Sequence, residues 1–236
     1  MKDSIKRIAE QFIDTHFPEV DIVWIGGSSV YNNLTTESDI DLIIIDETET
    51  SRLECHYFLD WKIEAFIFTR FNLDIEFQRA KFTGVPTIIK MCADGRCIKD
   101  QQRDGEKLQR EAKELYEQGP EIWDEAKINA ARYQLTDFLS DFKNSEEYGE
   151  SLFILNNLIN TLTKLVLRVN GKWIGEGKWI ARELKSYDKD LYDQLIKCTQ
   201  TYMNRDDKTE LISFIQSILN RYGGELFAGY KEYFFK

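Results

Sequence analysis

Trp24 to Ile45 reads WIGGSSVYNNLTTESDIDLIII, with a Gly-Gly-Ser turn closing one apolar run and an Asp-x-Asp pair opening the next. Glycine tolerates backbone turns tight enough to aim N–H groups at phosphate oxygens. Asp39 and Asp41 lie two apart, so on a strand they point to one face. Two carboxylates held together in a partly buried place repel each other, and a bound cation is the natural resolution. The combination suits a nucleoside triphosphate and its metal ions.

Working outward, Val20 to Ile25 and Ile40 to Ile45 read as buried strands, with a turn of helix over Ser28 to Leu34 between them. A third strand, rich in β-branched and aromatic residues, spans Trp61 to Thr69. Upstream, Ile5, Ile8, Phe12 and Ile13 have helical spacing, which predicts an amphipathic helix over Ser4 to Phe17 with Asp3 or Ser4 as its N-cap. Past Arg70 the period turns helical, with helices expected over 73 to 82 and 86 to 93, a short edge strand over 96 to 99, and a charged helix from Glu106 to Gln118. Gly119-Pro120 is the clearest breaker, because proline fixes its own φ and biases its predecessor away from helix. Beyond it the pattern predicts only helices, over 121 to 143, 147 to 169, 178 to 186, 188 to 203 and 207 to 222. The chain therefore reads as α+β, strands and helices first and an all-α bundle after, with a first domain over 1–110 and a second over 111–236.

With 236 residues, of which 42% are hydrophobic, there is material for real cores in both parts. The apolar runs, such as Leu42 to Ile45 and Ala65 to Phe68, are far shorter than the roughly 20 residues of a bilayer span, and the chain opens on charged residues. These features predict a soluble cytoplasmic protein with no membrane partner. Four cysteines and two histidines form no CxxC pair and no zinc spacing, so reduced, mostly buried thiols are expected. A formal net charge of −10 disfavours a long nucleic acid partner, whose backbone must be neutralised by basic side chains. The sequence does not fix the oligomeric state.

A triphosphate attacked at its α-phosphorus builds negative charge on the attacking and leaving oxygens, and two magnesium ions about 3.5 to 4 Å apart can clamp both. Magnesium takes hard oxygen ligands, usually a few carboxylates with water and phosphate. Asp39 and Asp41 supply two, and a third should come from a neighbouring strand. In the strand beginning at Trp61, alternation puts Asp60, Lys62 and Glu64 on one face, and both carboxylates must be weighed. Glu64 is favoured because apolar residues flank it closely on both sides.

Gly27-Ser28 followed by Ser38-Asp39-Ile40-Asp41 resembles the signature of the DNA polymerase β-like nucleotidyltransferase superfamily, including the interval between its parts. Asp60-Trp61-Lys62-Ile63-Glu64 resembles the strand carrying the third carboxylate in aminoglycoside (kanamycin-type) nucleotidyltransferases. Met91 through Gly95, Gly119-Pro120, RYQLTDFLSD from Arg132 and GEGKWIARELKSYD from Gly175 are similar to a bacterial family of nucleotidyltransferase-domain proteins. The resemblance implies a small mixed β-sheet with flanking helices as the catalytic domain, followed by a helical substrate-binding domain. Carried over residue by residue, Gly27 and Ser28 would hold the triphosphate, and Asp39, Asp41 and Glu64 would be both catalytic and metal-binding.

Two signals in the helical half remain open. Asp137 and Asp141 are i,i+4 neighbours on the helix carrying Leu135, Phe138, Leu139 and Phe142, with Arg132, Thr136 and Ser140 off that apolar face. Asp137 is either an acceptor-side base or cation contact, or part of an acidic solvated face balanced by Arg132 and Lys143. Gly-Lys-Trp occurs at Gly171 and again at Gly177. Lys178 at a helix start could reach a phosphate and Trp179 could stack on a ring, or both could be ordinary loop and packing residues. Both histidines precede residue 60, which excludes the Arg-x4-6-His motif of a fused helical ribonuclease.

The expectation is an enzyme that moves a nucleoside monophosphate, AMP first among them, from a magnesium-bound triphosphate to a hydroxyl of a small molecule such as an antibiotic, releasing pyrophosphate. The alternatives are an antitoxin-like enzyme transferring AMP to protein, and a nucleotide-binding regulator without turnover.

Overall fold

The computed structural model describes residues 2–27, 38–48, 50–100 and 103–233. The chain divides into two compact units, Met1–Gly119 and Pro120–Lys236. Ser28, and with it the turn of helix expected over Ser28 to Leu34, lies outside the described residues.

In the first unit, helix α1 (Lys2–His16) precedes strands β1 (Ile22–Ile25), β2 (Asp39–Ile45), β3 (Arg52–Phe58) and β4 (Trp61–Phe68). Helices α2 (Arg70–Thr83) and α3 (Thr87–Asp94), strand β5 (Arg96–Asp100) and helix α4 (Asp104–Gln118) follow. The strands form one mixed sheet in the order β3-β4-β2-β1-β5, with β2 and β4 parallel at its centre and the other pairs antiparallel. Alternation assigns the faces. Ile40, Leu42 and Ile44 of β2, Ile63, Ala65 and Ile67 of β4, and Val23 and Ile25 of β1 are buried with Ile5, Ala9, Phe12 and Ile13 of α1. Helices α2, α3 and α4 pack against β4 and β1 and contribute the buried Leu73, Phe77, Ile89, Met91 and Leu108.

Three local expectations are corrected here. Arg52–Phe58, read as no element from the sequence, is the edge strand β3, joined to β4 by a tight turn at Leu59 and Asp60. Both turn residues have positive φ (47° and 66°), the requirement of a two-residue hairpin loop of the I′ kind. Asp60 is thus a turn residue and does not share a strand face with Lys62 and Glu64. At the N-terminus the helix is already running at Lys2, so Asp3 and Ser4 are inside it rather than capping it.

The second unit is helical: α5 (Glu125–Asn144), α6 (Tyr148–Val169), α7 (Lys178–Tyr187), α8 (Lys189–Arg205) and α9 (Thr209–Arg221). Leu135, Leu139 and Phe142 of α5 share a core with Leu158, Leu162 and Leu165 of α6, Leu195 and Tyr202 of α8, and Leu211 and Ile215 of α9. By length and composition α6 could cross a membrane, which the short-run argument from sequence overlooked, but half of its apolar window is buried inside the bundle. Caps set several helix starts: Asp124 accepts from the Lys127 N–H and Asp188 from the Leu191 N–H, each at the N-terminus of its helix.

Candidate functional site

The parallel seam between β2 and β4 builds the site. Asp39 is in register with Lys62, and Asp41 with Glu64. Ile40 and Leu42 are committed to the buried face against α1, so the strand's alternation turns Asp39 and Asp41 to the opposite face, as Ile63 and Ala65 do for Glu64. One carboxylate oxygen from each of Asp39, Asp41 and Glu64 lies within 4.8 Å of the others, and all three residues are half-buried. Burial, and after it the charge of Asp39, pushes the Glu64 carboxyl above the usual glutamate range.

The flank toward β1 is made of glycine. Gly26 N–H donates to the Asp41 carbonyl at 2.8 Å, extending the β1–β2 pairing by one residue. Gly27 has φ +61°, and a Cβ there would overlap Asp41 Oδ2. Gly26 packs under Met91 of α3, whose side chain would stand 3.0 Å from an added Cβ. The backbone thus runs directly against the carboxylate cluster, an approach that only glycine allows. Ser28 lies outside the described residues.

The opposite flank was missed in the sequence. Across β4, Tyr57 is in register with Lys62 and Cys55 with Glu64, so β3 continues the carboxylate face. Tyr57 is 84% exposed and Leu53, two residues before Cys55, 50%. Alternation of Leu53, Cys55 and Tyr57 with Arg52, Glu54 and His56 is the signal that could have found this strand.

Three oxygen donors without sulfur or imidazole are the ligand chemistry of a hard divalent ion such as magnesium, and their crowding suits a shared cation. The residues present therefore fit a metal-bound triphosphate. The remaining sequence-derived candidates lie in the second unit. Asp137 is exposed on α5. Its neighbour Arg132 does not balance an acidic face: its guanidinium donates to the carbonyls of Gly223 and Gly224. Thr136 is buried and accepts from the Leu226 N–H at 2.9 Å. Together they hold the segment after α9 along α5. Lys178 is the exposed first residue of α7, and Trp179 is half-buried with the Arg182 guanidinium 4.5 Å from its ring centre. In the earlier copy of the Gly-Lys-Trp repeat, Trp173 is a buried packing residue.

A mixed sheet with a glycine turn beside an Asp-x-Asp pair, and a further acid on the parallel neighbour, is the frame of a nucleotide-transferring domain. The nucleotidyltransferase domain family model matches residues 5–131, more than half of the chain, and the protein belongs to that family. A nucleotidyltransferase-like protein from Exiguobacterium sibiricum 255-15, known from a crystal structure, is similar with a TM-score of 0.49 and 12% identity, over 92% of this chain and 75% of that one. A comparison with curated proteins finds no match.

Proposed function

We propose that the protein transfers a nucleoside monophosphate, AMP first among the candidates, from a magnesium-bound triphosphate to a hydroxyl of a small molecule such as an antibiotic, with release of pyrophosphate. The observation that carries this reading is the convergence of Asp39, Asp41 and Glu64 oxygens within 4.8 Å beside a glycine turn. Two magnesium ions bound there would neutralise charge on the attacking and leaving oxygens. Asp39 and Asp41 would hold them from one strand and Glu64 from its neighbour, while the backbone at Gly27, followed by Ser28, would cradle the triphosphate. The kanamycin-type resemblance supports a small-molecule acceptor, and the four free cysteines and acidic balance support a cytoplasmic setting away from long nucleic acids.

Pyrophosphate release and the fate of the nucleotide would be followed with each triphosphate labelled at its α-phosphorus, magnesium and a mixed panel of aminoglycosides, lincosamides, cell extract and proteins. The proposal expects magnesium-dependent release that Asp39→Asn and Asp41→Asn abolish. Label landing on protein would select the antitoxin-like alternative. Nucleotide binding that ignores magnesium, with no transfer to any acceptor, would select the regulator.

A further inference from the structure

Within the first unit, the face that carries the carboxylates continues into a cavity of about 310 Å³. Its apolar lining comes from Leu53 of β3, Phe66 and Phe68 of β4, Ile75 of α2 and Ile88 of α3. The register ties it to the site. Leu53 pairs with Phe66 and Cys55 with Glu64, so the cavity begins at the next same-face position beyond the acid cluster, about 7 Å along the strands. Ile75 is 48% exposed and Leu53 50%, apolar surface on either side of an opening rather than a closed core.

The charges at its rim are already matched inside the protein. Arg79 holds Glu76 at 2.7 Å and Arg52 holds Glu54 at 2.6 Å. A polycation entering here would have to compete with Arg79 for Glu76, the one carboxylate among the described lining residues. An uncharged ligand leaves both pairs intact and gains the burial of its apolar body, which is how small-molecule sites usually work.

Resting on the proposed transfer reaction, we infer that this cavity seats the acceptor, and that the acceptor is a neutral alcohol with an apolar ring or chain rather than a polycationic aminoglycoside. Its body lies on Leu53, Phe66 and Ile75, and its hydroxyl extends past Cys55 to Glu64, on the side of the carboxylates away from the glycine turn. In the transfer step the acceptor oxygen bonds to the α-phosphorus while the bond from that phosphorus to the bridging oxygen breaks. Pyrophosphate leaves with the electron pair, and the hydroxyl proton passes to solvent.

The test uses 4-(trifluoromethyl)benzyl alcohol as a fluorine probe on the full chain, with manganese and a non-hydrolysable triphosphate analogue in place of the natural donor. Manganese held by the carboxylates should broaden the probe's fluorine line saturably. Leu53→Trp, which fills the cavity, and Ile75→Glu, which charges it, should each weaken that binding about tenfold or more. Both positions are half exposed, and manganese–nucleotide binding should be unchanged in both variants. Kanamycin should not displace the probe. No saturable broadening, broadening that survives both substitutions, or displacement by kanamycin overturns the inference while leaving the donor site standing. Absence of manganese–nucleotide binding in the unmodified protein, seen separately by metal titration, overturns the transfer reading and this inference with it.

Discussion

Replacing Glu64 by Gln should stabilise the metal-free protein while removing its response to metal. The carboxylate oxygens of Asp39, Asp41 and Glu64 lie no more than 4.8 Å apart. At that separation two like charges repel by about 1 kcal/mol under bulk-water screening and about 3.5 kcal/mol at an effective dielectric near 20. The residues are half-buried, so the lower end governs, and about 1 kcal/mol of relief translates into a Tm increase of about 2–4 °C. Burial and Asp39 raise the Glu64 carboxyl, so the folded state holds that proton more tightly than the unfolded chain does. Stability is therefore intact at low pH and declines as pH rises through the raised range, so the gain from Glu64→Gln should be present at pH 7.5 and vanish near pH 4. Differential scanning fluorimetry of both proteins, with and without magnesium and nucleotide, reads both effects. The unmodified protein should gain several degrees with the complex and the variant little. A variant that melts lower without metal, or keeps the full metal-dependent gain, would refute the reasoning.

Three further outcomes follow from particular contacts. Gly27→Ala should cost about 1–3 kcal/mol and weaken metal binding, because the added Cβ meets the Asp41 carboxylate at a positive φ; paired melting and metal-titration curves check both. In the native protein at pH 8, iodoacetamide should modify exposed Cys55 and spare buried Cys92, whose thiol burial pushes up to about 12; peptide mapping showing the reverse would contradict the fold at β3. Arg52, and then His56, hold the Glu54 carboxyl below the usual glutamate range. Its contribution to stability is present above that usual range and is lost as pH falls through the lowered value. Acid titration of Glu54→Gln should therefore show a shallower loss of stability than the unmodified protein.

How far the sequence could be read depended on whether each signal was local. Alternating burial made β2 and β4 legible, and a carboxylate between Ile63 and Ala65 stood out because an acid at such a place needs a reason. Strand β3 stayed hidden because its hairpin loop is Leu59-Asp60 where Asn-Gly is the usual signal, and because an edge strand with one open face carries Cys55 and Tyr57 where a core strand would carry Ile or Val. Without β3 the continuation of the carboxylate face beyond β4 could not be seen at all. Arg132 and Thr136 were misread for a related reason: their partners, Gly223, Gly224 and Leu226, lie about 90 residues away along the chain, and no helical period reports a bond of that range.

The most direct test of the central claim follows both ends of one triphosphate. ATP labelled at the α-phosphorus and ATP labelled at the γ-phosphorus would be incubated in parallel with the protein, magnesium and the protein-free small-molecule fraction of a cell extract. The account predicts α-label joined to an acceptor and γ-label released as pyrophosphate in equal amount, with both lost in Asp41→Asn. Release of γ-label as single phosphate, or transfer undiminished in Asp41→Asn, would contradict it.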